Sequence, residues 1–218
     1  MDKGIIFSAP MVRALLDGRK TQTRRLAKVR KGLTLGELIE HGESRHKGPF
    51  VEHWATLEQL APPRYAPGDR LYVRESAWIA PPMWTDSPVN PMGPHRQAVA
   101  YKADDRSGYT ANAAADYKLR LRPSIHMPRW ASRITLDVTE VRIQRLQEIT
   151  EADAKAEGVL PSGWEGSDVP GHFRIAFRDL WNTLHTKPGE RWEDNPWIVA
   201  VSFGVRLGNI DAEQSYGR

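Results

Sequence analysis

A chain of 218 residues without a single cysteine excludes disulfides, thiol nucleophiles and thiolate metal sites together. A hydrophobic fraction of 40%, a mean hydropathy of −0.56, 16 prolines and 17 glycines describe a core carrying long decorated connections. The formal charge of +4 is uneven: residues 1–145 hold 24 Lys and Arg against 15 Asp and Glu, and residues 146–218 hold 7 against 12, which points to an anionic partner for one face.

Lys3–Phe7 reads as a first short strand. Ser8 is placed to cap a helix over 9–17, with Pro10 in its first turn, where the missing N–H costs nothing, and Gly18 at its left-handed end. Lys20–Arg25 is β-compatible, and strand alternation puts Thr21, Thr23 and Arg25 on one side and Lys20, Gln22 and Arg24 on the other. Lys20 and Thr23 therefore meet over one substrate only if the strand entry is bent or bulged or the long lysine stem curls round its edge; otherwise the run is a solvated basic edge strand. Eight basic residues lie between 13 and 31 against Asp17 alone, a phosphate footprint. The segment 32–66 reads as an insertion with a short helix at Leu33–His41. Its His41, His46 and His53 lack the helical spacing and acidic company of a metal centre, so no metal is expected.

Pro67-Gly68-Asp69 marks a turn before a central strand over Arg70–Trp78, with Leu71, Val73 and Glu75 on one face. A carboxylate among core residues either meets a base edge or pairs a structural arginine. Trp78 lines a cleft or closes the core. Five prolines make Ala80–Arg96 a loop, a strand follows at Val99–Lys102, and Ala103–Tyr117 is a polar loop. In Leu119–Arg133 the cations Arg120, Arg122, His126, Arg129 and Arg133 interleave with Trp130, a platform for phosphate and base, or else a basic turn with Trp130 in the core. The phase slip in Ser132–Gln144 predicts a bulge between strands or a bent barrel strand. Thr150 caps a helix over 150–158 that ends at Gly158, with Glu157 misplaced at its negative end. His172–His185 is an amphipathic helix with a stripe of Phe173, Ala176, Phe177, Leu180 and Leu184. Ile198–Val205 is a closing strand, and 208–218 a frayed tail.

Gly18-Arg-Lys-Thr-x-Thr23 after a helix, Gly68-Asp-Arg-Leu-Tyr-Val-Arg-Glu75, and Thr150-Glu-x-x-Ala-x-x-Glu-Gly158 resemble the ASCH family of PUA-like β-barrels. His126-Met-Pro-Arg-Trp130 matches its longer bacteriophage and prophage branch. The resemblance covers roughly 1–26, 66–80, 98–103, 120–160 and 170–206. It implies an α+β fold: a PUA-like small β-barrel flanked by helices, a single domain over 1–218 with insertions at about 32–66 and 80–97. It also implies a cleft for RNA or a modified nucleoside. Some members remove an acetyl group from the exocyclic amine of cytidine; the matching working residues here are Lys20, Thr23 and Glu157. Thr21, Arg24, Arg25, Glu75, Trp78, His126, Arg129 and Trp130 are the candidate contacts to substrate or nucleic acid.

Three functions follow as expectations: an amidohydrolase acting on acetylated cytosine, a non-catalytic reader of RNA or modified DNA, and a ribonuclease using His126 and Lys20. No cofactor is expected. The start Met-Asp-Lys-Gly lacks an apolar leader core and no run approaches eighteen apolar residues, so a soluble, cytoplasmic protein without membrane partners is expected.

Overall fold

The computed structural model describes residues 2–28, 62–79, 99–105, 108–116, 119–161 and 171–212. The predicted helix at 33–41, the three histidines within the 32–61 stretch and the 80–97 insertion lie outside them. The architecture is mixed α and β. The chain divides into two compact units: unit 1 comprises Met1–Lys20, Gly68–Asp137 and Gly204–Arg218, and unit 2 comprises Thr21–Pro67 and Val138–Phe203.

Unit 1 begins with β1 (Asp2–Ile6), which runs parallel to β3 (Arg70–Arg74) in the register Asp2↔Arg70 to Ile6↔Arg74. The helix α1 (Ala9–Leu16) follows β1, with Ser8 at its N-cap position and proline in its first turn. Gly18 at φ 70° closes it, a conformation that glycine adopts without a Cβ penalty. Val12, Ala14 and Leu15 supply its buried face. β3 then pairs antiparallel with the start of β7 (Ile134–Arg145). A smaller antiparallel sheet has the order β5-β4-β6, from β4 (Ala77–Ile79), β5 (Val99–Tyr101) and β6 (Leu121–Arg122). The expected strand over Arg70–Trp78 is thus two strands, broken at Glu75 and Ser76. The expected polar loop contains a helix, α2 (Tyr109–Asp116).

Unit 2 carries β2 (Gln22–Leu26), antiparallel to β8 (Trp197–Leu207) in the register Gln22↔Ser202 to Leu26↔Ile198. The helix α3 (Glu151–Ala156) opens with a capping box in which Thr150 and Asp153 satisfy each other's backbone donors. α4 (His172–Leu184) buries Phe177 and Trp181. These join Leu146, Ile149, Ala154, Val159, Ile198 and Ala200 in one apolar cluster. At roughly 1.5–3 kcal/mol for each large side chain removed from water, this cluster is the main cohesive term of the unit. Leu184, expected on the buried stripe, is 67% exposed, because it lies in the last turn beyond the reach of the core.

Two further expectations are corrected. β7 is one continuous twelve-residue strand; the phase slip appears as a change from buried residues at its start to half-buried ones after Glu140, without interrupting the strand. Residues 208–212 are anchored: Asn209 donates to the carbonyls of Arg129, Trp130 and Ser132, and Ile210 is buried. The described strands form no closed barrel; among the described residues β1 has only β3 as a strand partner and β2 only β8. No described helix is long and apolar enough to cross a membrane.

Candidate functional site

In unit 2, β2 follows directly on the basic run, and its first three residues, Gln22, Thr23 and Arg24, are all buried. A solvated edge strand does not describe them. Thr21 is exposed yet tied at both ends of its peptide: its N–H donates to the Ala156 carbonyl and its carbonyl accepts from Phe203. The end of α3 is thereby held beside the start of β2.

Glu157 is the C-cap residue of α3, followed by Gly158 at φ 79°. A carboxylate at a helix C-terminus meets the negative end of the peptide dipoles, and burial adds a desolvation cost. Arg24 offsets both: its Nη1 donates to Glu157 Oε1 over 3.1 Å, with both side chains buried.

Arg24 also belongs to a closed circuit of six side chains. Its Nη1 donates to Gln22 Oε1, Gln22 Nε2 donates to the Ser202 hydroxyl over 3.0 Å, and that hydroxyl donates to Glu140 over 3.3 Å. Glu140 pairs with Arg142 at 3.6 Å, Arg142 donates to Asp153 Oδ1 over 3.2 Å, and Asp153 Oδ2 lies 3.1 Å from Arg24 Nη2. Burial acts to raise the Asp153 carboxyl, but the charges of Arg24 and Arg142 and the bonds to Thr150 outweigh it and hold the group below its ordinary range. Strand alternation places Gln22 and Arg24 on one face of β2 and Thr23 on the other. The Thr23 hydroxyl makes no hydrogen bond among the described residues. Arg25 is exposed, and the buried Tyr65, whose hydroxyl burial raises, feels its charge together with that of Arg64.

Unit 1 holds the other candidates. Lys20 is buried, with Nζ 5.5 Å from the centre of the Phe7 ring and its backbone N–H on the Ala14 carbonyl. Such a cation–π contact compensates part of the hydration lost by the ammonium. Glu75 is buried, and both its oxygens accept from Arg133, at 2.9 and 3.1 Å. Arg133 also forks onto Asp104 and lies 3.8 Å from the centre of the Tyr101 ring. Burial still lifts the Glu75 carboxyl above its ordinary value, with Arg133 opposing. Of the two readings open for Glu75, the structure bears out the structural arginine. Trp78 is buried, whereas His126 and Trp130 are exposed. Arg129 stacks over Tyr72 at 5.4 Å and is gripped by Asp211 and Asp2, at distances of 2.6 to 2.8 Å.

The structure thus brings Arg24 and Glu157 together, leaves Thr23 on the opposite face of β2 from Arg24, and commits Arg24 and Arg129 to carboxylates. Sequence reasoning missed Gln22, Glu140, Arg142, Asp153 and Ser202 as a network. The available signal was Glu140 and Arg142 at strand spacing, which puts opposite charges on one face. Among the described residues no group of three or more His, Asp or Glu side chains could hold a metal ion. No protein-family model, curated protein or solved structure matches the chain.

Proposed function

We propose that the protein recognises a modified cytosine base or nucleoside and hydrolyses an amide on its exocyclic amine, in a fold of the PUA-like ASCH kind. The observation that carries this reading is the buried Glu157 carboxylate, held by Arg24 at the end of α3. The paired helices and antiparallel strands in the family's order support the architecture.

In this chemistry the Glu157 carboxylate takes a proton from water, and the oxygen so activated attacks the acyl carbon, while Thr23 enters on the strength of the motif alone. The carbon–nitrogen bond breaks, the amine leaves with the proton returned by Glu157, and the products are the acid and the free cytosine base. Lys20 enters as the stabiliser of the developing oxyanion on the strength of the Lys-x-x-Thr motif.

A second reading, recognition without turnover, is favoured by the Arg24–Glu157 pair itself, since a carboxylate gripped by a buried guanidinium serves well as a strut. Incubation with acetylated cytidine, following release of cytidine, separates the two. The hydrolase gives turnover in the wild type that is lost in Thr23→Ala, Glu157→Gln and Lys20→Ala variants whose thermal melts show them folded. Nucleoside binding without turnover leaves recognition alone, and neither binding nor turnover removes both readings.

A further inference from the structure

The arginines of unit 1 fall into two groups. Arg129 and Arg133 are each clasped by two carboxylates, from Asp2 and Asp211 and from Glu75 and Asp104. Arg120 and Arg122 are exposed and have no hydrogen-bond or ion-pair partner among the described residues. From Leu119 to Leu136 the chain contains no Asp or Glu at all. Arg74 adds a third cation beside this segment, donating to the Ile125 carbonyl.

The same short stretch exposes its apolar side chains. Trp130 is 46% exposed and Ile125 57%, with Leu121 and His126 also open to solvent. The backbone beneath them is stiff: Ser124–His126 and Arg129–Ala131 are 3₁₀ turns, Met127 between them is buried, and Asn209 pins the Arg129, Trp130 and Ser132 carbonyls. Large side chains left in water over a hydrogen-bonded backbone, in the same stretch of chain as guanidinium groups without a partner among the described residues, suit a base stacked over phosphate.

We propose that Arg120–Trp130 of unit 1 is a binding surface for single-stranded nucleic acid, with Trp130 stacking a base and Arg120 and Arg122 holding phosphates. The inference rests on the proposed recognition of nucleobases. A single strand is the occupant because an indole face needs an unstacked base, which a duplex withholds. Arg129, chosen on sequence grounds as a contact, is instead a strut beneath the platform.

The test is fluorescence anisotropy of a labelled twelve-residue oligothymidine or oligouridine with the full chain, across a range of salt. The double variant Arg120→Ala/Arg122→Ala lowers the slope of log affinity against log salt by about 1.4, near 0.7 for each phosphate of a single strand that is no longer neutralised. Trp130→Ala weakens binding on the order of tenfold at an unchanged slope, and Trp130→Phe restores most of it. Arg191→Ala, at an exposed arginine of unit 2, is the control and changes neither. Affinity and slope unmoved by the unit 1 variants, a blunt duplex bound as tightly as the strand, or no binding by the wild type at low salt overturns the proposal. Turnover of free acetylated cytidine by the wild type reads the hydrolase separately: its absence alongside Trp130-dependent strand binding defeats the chemistry and leaves the surface standing.

Discussion

Each unit buries a glutamate against an arginine, and the two pairs are built differently. In unit 1 Arg133 gives Glu75 a grip on both oxygens and is itself boxed in by Asp104 and the Tyr101 ring. In unit 2 Arg24 is divided among Gln22, Asp153 and Glu157, and the first two close a ring with it through Ser202, Glu140 and Arg142. A guanidinium that saturates one carboxylate makes a strut. A guanidinium shared among several partners sets the position and charge of one of them through the others, which is the arrangement suited to a carboxylate with chemistry to perform.

The strongest way to break this contrast is to remove the arginine of the strut. Arg133→Met strands Glu75 in the core and is expected to cost about 3–5 kcal/mol in urea unfolding, the range for an orphaned buried charge. Adding Glu75→Gln recovers a large part of that loss, because the neutral amide has less hydration to forfeit. The ring is examined next: Asp153→Asn and Arg142→Gln are each expected to cost about 1–2 kcal/mol, with a coupling energy of at least about 0.5 kcal/mol in the double-mutant cycle. Additive effects would dissolve the ring into independent pairs. Thr150→Ala removes the capping bond to Asp153 and should cost about 1 kcal/mol without altering the unit 1 pair.

The smallest effect is in pH, where two carboxyls of unit 1 carry opposite signs. Hydrogen bonds from Arg70 and then Arg129 lower Asp2 from 3.8 to about 2. Its contribution to stability is therefore present above pH 3.8 and is lost as pH falls toward 2. Glu75, raised by burial, contributes stability that is full below its ordinary value of 4.5 and is lost as pH rises through its folded value. Acid denaturation of Asp2→Asn should flatten between pH 4 and pH 2 by comparison with the wild type, while Glu75→Gln should remove the opposite slope above pH 4.5. If both variants follow the wild-type curve, neither pair is ionised as described.

Much of the helical frame was legible because its signals are local. Pro10 and Gly18 bracket α1, Thr150 and Gly158 bracket α3, and a 3.6-residue apolar period marks α4. α2 was not: its Ala-rich segment favours a helix by propensity, but it has little apolar periodicity, and among its described side chains only Ala114 is in the core. The face of Glu75 was legible from strand alternation, and its need for an arginine from the cost of burying a charge. Which arginine supplies it was not, since 58 positions separate it from Arg133. The same holds for Arg24 and Arg129: a run of basic residues looks like a phosphate footprint until the distant acids that fold back onto it are known. Asp153 lies far along the chain from Arg24, and Asp2 and Asp211 lie near opposite ends of it.

The grip of Arg129 on both Asp2 and Asp211 has a topological consequence. One planar cation clasps the first described strand and the last described turn, so these two stretches are neighbours in unit 1 although almost the whole chain separates them. A re-ordered gene that splices the coding sequence after Asp211 to that before Asp2 through a short glycine-serine bridge, and opens new termini elsewhere, would preserve the clasp. In such a ring-shifted protein the bridge would do covalently what the guanidinium does electrostatically, and loss of the Arg129 side chain would cost less stability than in the natural order.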